Sequence, residues 1–237
     1  MPEGIFVTAT DTGVGKTIVS AAIIRALKKA GINAGAMKPM ETECSVENGA
    51  LIPADGSFLR NAAEMTDSID LVTPIRYKLP LAPYTASIKE GVPVKLDAVF
   101  RAYKQLSARY EFMVVEGVGG VLVPLTMTAS GDAYFVTDLI KDLRLPAVVV
   151  ARPLLGTINH TLLTVSRLID EGIEVKGVII SNSAPPQGTI AEETNLEMLR
   201  ELCPVPVIGI VPYLEKVTIE EIDAKAAGCI DIKALMK

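Results

Sequence analysis

Gly4-Ile5-Phe6-Val7-Thr8-Ala9-Thr10-Asp11-Thr12-Gly13-Val14-Gly15-Lys16-Thr17 runs from an unbroken apolar segment, through a glycine-bearing loop, into a helix-period pattern. Residues 4–10 read as a strand. Residues 16–30 read as a helix with Ile18, Ala21, Ala22 and Leu27 on one face. In a strand–loop–helix of this kind, consecutive backbone N–H groups and the helix N-terminus point at a phosphate. Gly13 and Gly15 let the backbone approach closely. Lys16 is placed to reach the β- and γ-phosphates of a nucleotide, and the Thr17 hydroxyl suits Mg²⁺. The strict spacing G-x-x-x-x-G-K-[ST] is not met, because its first glycine falls on Thr10. A chance Gly-Lys-Thr at a helix start is the competing reading. The strand before, the helix after and the two glycines between favour a phosphate site.

The rest of the chain repeats the alternation. Short apolar runs at 33–38, 112–116, 146–152, 176–182 and 205–211 are uniform rather than alternating. Such strands are buried on both faces, as in a parallel sheet covered by helices. Helices are expected at 95–109, 133–144, 158–171 and 189–202, with Gly31 and Gly172 as stops. The series predicts an α/β fold, one doubly wound, mainly parallel sheet with helices on both faces, and the phosphate loop at 8–17 makes it P-loop NTPase-like. The stretch 71–93, with Pro74, Pro80, Pro83 and Pro93, reads as a connecting loop rather than a boundary. One domain over 1–237 is expected.

Composition narrows the function. With 237 residues, 49% apolar and 22% charged, the chain is globular and not disordered. Its net charge of −5 and pI near 5.1 exclude a nucleic-acid binder that works through a basic surface. Any phosphate must be held locally. Mean hydropathy is +0.37, yet the longest apolar run, 145–151, is far too short to span a membrane. The start Met1-Pro2-Glu3-Gly4 lacks a basic segment, so no secretory leader is expected. Cys44, Cys203 and Cys229 are odd in number and lack metal-ligand spacing, which fits a reducing cytoplasm and small buried side chains. His160 is the only histidine, which rules out His-rich zinc sites, and no Gly-x-Ser-x-Gly elbow exists for a serine nucleophile. Trp is absent and aromatics are few, against a base-stacking surface.

Several charged residues have two readings. Glu116 ends the run 112–116 and precedes Gly117-Val118-Gly119-Gly120, at the sheet edge where ligands collect. Asp55, in Pro53-Ala54-Asp55-Gly56-Ser57, reads by itself as a helix N-cap. Lys38, before Pro39, reads by itself as a solvated strand end. Glu41 and Glu43 read as a solvated loop face, and Met37 and Met40 as packing. His160 is expected to pack or hydrogen-bond at the start of the 158–171 helix, beside Asn159.

These motifs together resemble the dethiobiotin synthetases along nearly the whole chain. Residues 8–17 match the family loop T-G-T-D-T-x-x-G-K-T, with Ala9 for its glycine. Lys38-Pro39-Met40-Glu41-Thr42 matches K-P-x-x-[ST]-G, with Glu43 for the glycine. Val115-Glu116-Gly117-Val118-Gly119-Gly120 is similar to V-E-G-A-G-G, Gly156-Thr157-Ile158-Asn159-His160 to G-x-I-N-H, and Pro212-Tyr213-Leu214 to I-P-x-L. The resemblance implies a ligase of biotin synthesis that uses ATP to close a cyclic urea on 7,8-diaminononanoate with CO₂ or bicarbonate. It implies that Lys16 and Lys38 hold the transferring phosphoryl group and the carbamate. Thr17, Asp55 and Glu116 would ligate Mg²⁺, and ATP would also touch Thr12, Gly13, Val14 and Gly15. Either Ser181 or Asn182 would read adenine, with the backbone of Pro212, Tyr213 and Leu214. Thr12 and Thr42 would bind the diamine or carbamate. Asn159 would reach from the other subunit of a homodimer to the substrate's carboxylate tail.

Two rivals share the loop. A membrane- or partner-cycling ATPase switch usually carries a lysine where Asp11 stands and often a basic amphipathic tail. Here residues 218–237 include Glu220, Glu221, Asp223 and Asp231. The ATP-using part of a corrinoid amide synthase normally needs a glutaminase domain, for which the chain has no room.

Overall fold

The protein is described by a computed structural model over residues 3–236. Met1, Pro2 and Lys237, which carry the ends of the leader and tail readings, lie outside the described residues. Six strands form the central sheet: β1 (Glu3–Ala9), β2 (Ala34–Met37), β3 (Phe112–Glu116), β4 (Ala147–Ala151), β5 (Val175–Ser181) and β6 (Val207–Val211). Their order is β6-β5-β4-β1-β3-β2, and every pairing is parallel. β2, β3 and β4 are buried along their full length, as uniformly apolar runs require. From β1 the chain passes to β2 on one side of the sheet, while β4 pairs on the other. The carboxyl end of β1 is therefore a topological switch point, where a crevice opens.

Seven helices matter here: α1 (Lys16–Lys29), α2 (Ala54–Ala62), α3 (Pro83–Glu90), α4 (Leu96–Ser107), α5 (Val136–Leu143), α6 (Thr157–Asp170) and α7 (Ile190–Leu202). α1 buries Val19, Ala22, Ile23, Ala26 and Leu27 among its neighbours, touching β1, β2, β3 and α2. Full burial of each large aliphatic side chain contributes about 1.5–3 kcal/mol, so α1 is fixed by packing on several sides. α4 buries Val99, Ala102 and Leu106, one face at helical spacing, against β2 and β3. No described helix is long and apolar enough to cross a membrane.

The structure corrects several expectations. The 133–144 segment opens as a strand, Ala133–Phe135, antiparallel to Pro124–Met127, and only then becomes α5. Tyr134 and Phe135 suit a strand, and the Phe135 N–H donates to Asp138 Oδ2 at 2.7 Å to start the helix. The proline-rich 71–93 stretch contains α3, because Pro83 occupies the first helical turn, where a missing N–H costs nothing, and Gly91 at φ +67° stops it. Lys38 is 3% exposed and not solvated. Of the cysteines only Cys44 is buried, and Cys229 is exposed.

The tail packs on α1. After the turn Ile219–Glu221, residues Ile222–Ala226 form a π-helical turn packed on α1, with Ile222 and Ala226 buried. Arg25 of α1 donates from Nε and Nη2 to the two Asp223 carboxylate oxygens, at 2.9 and 2.7 Å, and from Nη1 to Glu64 at 2.6 Å. The Arg25 hydrogen bonds hold the Asp223 carboxyl below its usual range. That contribution is complete above pH 3.8, the ordinary value, and is lost as pH falls through the lower folded value. Asp223→Asn should lower Tm at pH 7 by roughly 2–4 °C, for a bidentate pair worth on the order of 1 kcal/mol. The gap from wild type should close in acid melts below the folded value; an equal gap at all pH values would assign the loss to packing instead.

Candidate active site

The loop between β1 and α1 is shaped by Gly15. Its φ of +93° is left-handed, and a Cβ there would lie 2.3 Å from Ser181 Oγ. Only glycine lets the loop turn into α1 while resting on the end of β5. Asp11 braces the loop: its Oδ1 accepts the Thr12 N–H at 2.7 Å, its carbonyl accepts Lys16 Nζ at 3.0 Å, and its Oδ2 pairs with Arg152 at 3.3 Å. Ser183 Oγ donates to the Gly13 carbonyl at 3.3 Å. Val14 is fully buried beneath the loop. Burial, and after it the Lys38 charge, pull the Lys16 ammonium down to about 8, against the pull of Glu116, Asp55 and Asp11.

Beside the loop lies a compact charge cluster. Glu116, at the end of β3, is fully buried. Its Oε1 accepts Lys38 Nζ at 2.5 Å and Thr17 Oγ1 at 2.9 Å. Lys38 Nζ also donates to Asp55 Oδ2 at 3.0 Å. Burial by itself favours the neutral amine at Lys38, but Glu116 and Asp55 outweigh it and hold the ammonium above the usual lysine range. Glu116 Oε2 is buried with no hydrogen-bond partner. Asp55 is not an N-cap: it is the second residue of α2, whose N-cap position is Pro53. The cap is supplied from a distance by Glu41, which accepts the N–H groups of Asp55 at 2.9 Å and Gly56 at 2.8 Å. Glu41 is 5% exposed and so no part of a solvated face, because those two amides need a partner. Burial pushes it above the usual carboxylate range, against the two amides. Glu43 is exposed and holds the left-handed φ of +64° that a glycine would adopt freely.

Loop and cluster face one cleft of ≈ 630 Å³. It brings together Thr12, Gly13, Gly15, Lys16, Thr17, Lys38, Thr42, Asp55 and Glu116. Glu41, Phe58, Ser183 and Val217 line it as well. Phe58 was findable, since it lies one turn beyond Asp55 on α2; Val217 comes from the tail with no local signal. Ser181 is buried under Gly15, whereas Asn182 is half-buried beside β6, its N–H and Nδ2 donating to the Val211 carbonyl at 3.0 and 3.1 Å. Pro212, Tyr213 and Leu214 continue from that carbonyl. Asn159 and His160 are exposed on the first turn of α6, outside the lining of this cleft. His160 is therefore not packed as expected: it stands on the exposed face of α6, whereas Thr157 in the same turn is buried. Met37 and Met40 are buried packing residues.

The donor set fits Mg²⁺. Thr17, Asp55 and Glu116 offer hard oxygen atoms, and the orphaned Glu116 Oε2 is a buried lone-pair site. Among the described residues no group of three or more His, Cys, Asp or Glu is placed to hold a metal ion, so Mg²⁺ here would need water and phosphate oxygens in its shell besides these three residues. Two lysines, backbone N–H groups and such a cation can neutralise a polyphosphate.

Comparison with known proteins agrees. The chain matches the model of an AAA domain over residues 3–221. It is 49% identical over 238 residues to the ATP-dependent dethiobiotin synthetase of Thermodesulfovibrio yellowstonii, covering 100% of this chain and 99% of the relative. The enzyme of the same name from Methanocaldococcus jannaschii is 43% identical, covering 91% of this chain and 97% of the relative. That from Bacillus licheniformis is 41% identical, over 99% and 96%. Among solved structures, the septum site-determining protein MinD with Mg-ADP from Pyrococcus horikoshii shares the fold at TM-score 0.51 and 16% identity, covering 99% of this chain and 89% of that one. Identity of this level, sustained from end to end across bacterial and archaeal relatives, leads to one conclusion: the chain belongs to the ATP-dependent dethiobiotin synthetases, ligases of biotin biosynthesis.

Proposed function

We propose that this chain, acting as one nucleotide-binding unit in the cytoplasm, closes the cyclic urea of dethiobiotin through a phosphorylated carbamate, in the cleft between the β1–α1 loop and the Lys38 cluster. The observation that carries this reading is the convergence of Lys16 and Lys38 on one cleft with no nucleophilic side chain required. One amine of 7,8-diaminononanoate takes up CO₂ as a carbamate and releases a proton. A carbamate oxygen attacks the γ-phosphorus of ATP, the bond to ADP breaks, and a carbamic–phosphoric anhydride forms. The second amine attacks the carbonyl and loses a proton, closing the ring, and phosphate leaves with the bridging oxygen. Every step depends on positioning and charge neutralisation.

Each residue has a part. Backbone N–H groups of residues 12–17 hold the phosphates, and Lys16 stabilises charge as it moves from the γ-phosphate to the β-phosphate. Lys38 holds the carbamate against the γ-phosphorus, with Thr12 and Thr42 hydrogen-bonding the substrate. Thr17, Asp55 and Glu116 would hold Mg²⁺, which when bound supplies further positive charge to the phosphates. Asn182, with the Pro212, Tyr213 and Leu214 backbone, reads the base; Ser181, buried under the loop, acts by seating Gly15.

Exposed leucines support a homodimer. Leu122, Leu155 and Leu163 are 52%, 89% and 62% exposed. Leu122 and Leu163 also line a groove of ≈ 350 Å³ that reaches Thr12 of the phosphate loop. Asn159 stands one turn before Leu163 on the same helix, and in the proposed dimer it serves the neighbouring subunit's cleft, at the substrate's carboxylate tail.

Phosphate release should require both the diamine and bicarbonate. Lys16→Ala should lower it at least ~10²-fold, as loss of one positioned charge-stabilising group does, at an unchanged Tm. Near-normal turnover in the folded variant, or release without the diamine, would remove this reading in favour of a switch ATPase. Assembly has its own test. Lys16→Ala and Asn159→Ala homodimers, each inactive, are dissociated and remixed. About half of the dimers are then mixed, each with one intact site, and activity should return to about a quarter of wild type. No recovery after verified exchange would put both residues in the same subunit's site.

A further inference from the structure

Glu41 is a buried carboxylate in the cleft that the reaction above does not use. It sits on the short strand Met40–Glu41, which pairs with Ile75–Arg76, and the Tyr77 N–H donates to its carbonyl at 2.9 Å. Its backbone is therefore held in place, three residues beyond Lys38. Its side chain spans to α2, where Oε1 takes the Asp55 N–H and Oε2 the Gly56 N–H. Asp55 in turn meets Lys38 Nζ at 3.0 Å. A closed path runs from Lys38 along the backbone to Glu41, across two hydrogen bonds to the first turn of α2, and back through Asp55 to Lys38.

We propose that Glu41 is a positioning residue: by gripping the amides of Asp55 and Gly56 it fixes where the Asp55 carboxylate stands relative to Lys38 and the nucleotide's cation. Helix stability by itself does not account for it. A serine or asparagine at the N-cap satisfies the same amides locally, without burying a charge beside a like charge. Gly56 is part of the arrangement. A Cβ there would come 1.9 Å from Thr73 Oγ1 and 3.4 Å from Glu41 Oε2, so only glycine lets α2 close on both. The carboxylate's two oxygens match two adjacent amides, which sets the direction of the first turn as well as its position. The inference rests on the reading of Asp55 as a metal-side carboxylate, and its test separates the two.

The test measures the Mg²⁺ concentration needed for half-maximal binding of a fluorescent ATP analogue, without turnover. Wild type, Asp55→Asn, Glu41→Gln and the double variant are compared, each with its Tm. A glutamine carbonyl can accept from only one of the two amides and turns its own N–H₂ toward the other. Glu41→Gln should raise the Mg²⁺ midpoint roughly tenfold, the usual cost of losing a partner that orients a ligand. The double variant should be no worse than Asp55→Asn alone, because Glu41 acts through Asp55. Glu41→Asp, a milder change that withdraws the carboxylate by one methylene, should shift the midpoint in the same direction and serves if Glu41→Gln folds poorly. Leu59→Val, on the buried face of α2, should lower Tm and leave the midpoint in place. An unmoved midpoint in both Glu41 variants, with Asp55→Asn displaced, would reduce Glu41 to a cap. Additive shifts in the double variant would mean that Glu41 acts on the cation without Asp55. An unmoved midpoint in Asp55→Asn would overturn the metal reading itself, and this inference with it.

Discussion

A fully buried glutamate needs a cation, and Glu116 obtains one from Lys38 at 2.5 Å. The arrangement of the site depends on that contact. A carboxylate removed from water costs several kcal/mol unless it is paired and hydrogen-bonded, and breaking such a pair on one side costs about 3–5 kcal/mol. Lys38 at the end of β2, Glu116 at the end of β3 and Thr17 at the start of α1 are consequently locked together. Asp55 brings α2 into the same cluster. Four elements that are distant in sequence are thus tied at the carboxyl edge of the sheet by the groups that face the cleft. The pair contributes little net stability; its effect is to hold the ends of the elements in register around the phosphate loop.

The strands were legible because burial on both faces leaves an uninterrupted apolar run, and β3 occupies the very residues, 112–116, that such a run predicts. The helices were legible where period and stops agree, as in α6, which spans Thr157–Asp170 and is followed by Gly172 in a left-handed turn. α3 was hidden because four prolines argue against a helix unless one of them falls in the first turn, and no local rule says which will. In the site, Lys16 and Thr17 could be read from the loop itself, since their neighbours in sequence are their neighbours in space. Lys38, read alone, looked like a solvated strand end, because its partners lie 17 and 78 residues away. Glu41 was misread for the same reason: its partners are the amides 14 and 15 residues downstream, and a carboxylate near a loop gives no sign of being capped over by a helix. The tail's acidic residues likewise gave no sign that Asp223 would meet Arg25 on α1.

The fold and the proposed chemistry share one logic. A parallel sheet gathers strand ends at one edge, a glycine loop turns backbone N–H groups toward a polyanion, and buried lysines supply charge where water cannot. Nothing in that edge needs to form a covalent bond with the substrate. The fold shared at TM-score 0.51 with a septum site-determining protein carries no function by itself. What a site of this kind does with a phosphoryl group depends on what is held opposite the loop. Here Lys38, Thr42, Asp55 and Glu41 stand in that place.

Oxygen tracing shows whether the γ-phosphoryl group passes to a carbamate oxygen or to water. The enzyme is given ATP, Mg²⁺, the diamine and CO₂ labelled with ¹⁸O, in unlabelled water and over a time shorter than exchange of the label with solvent. Each phosphate released should carry one ¹⁸O atom, the oxygen that bridged carbon and phosphorus before ring closure. Phosphate carrying no ¹⁸O would mean that water attacks the phosphorus, and the carbamate route would be excluded.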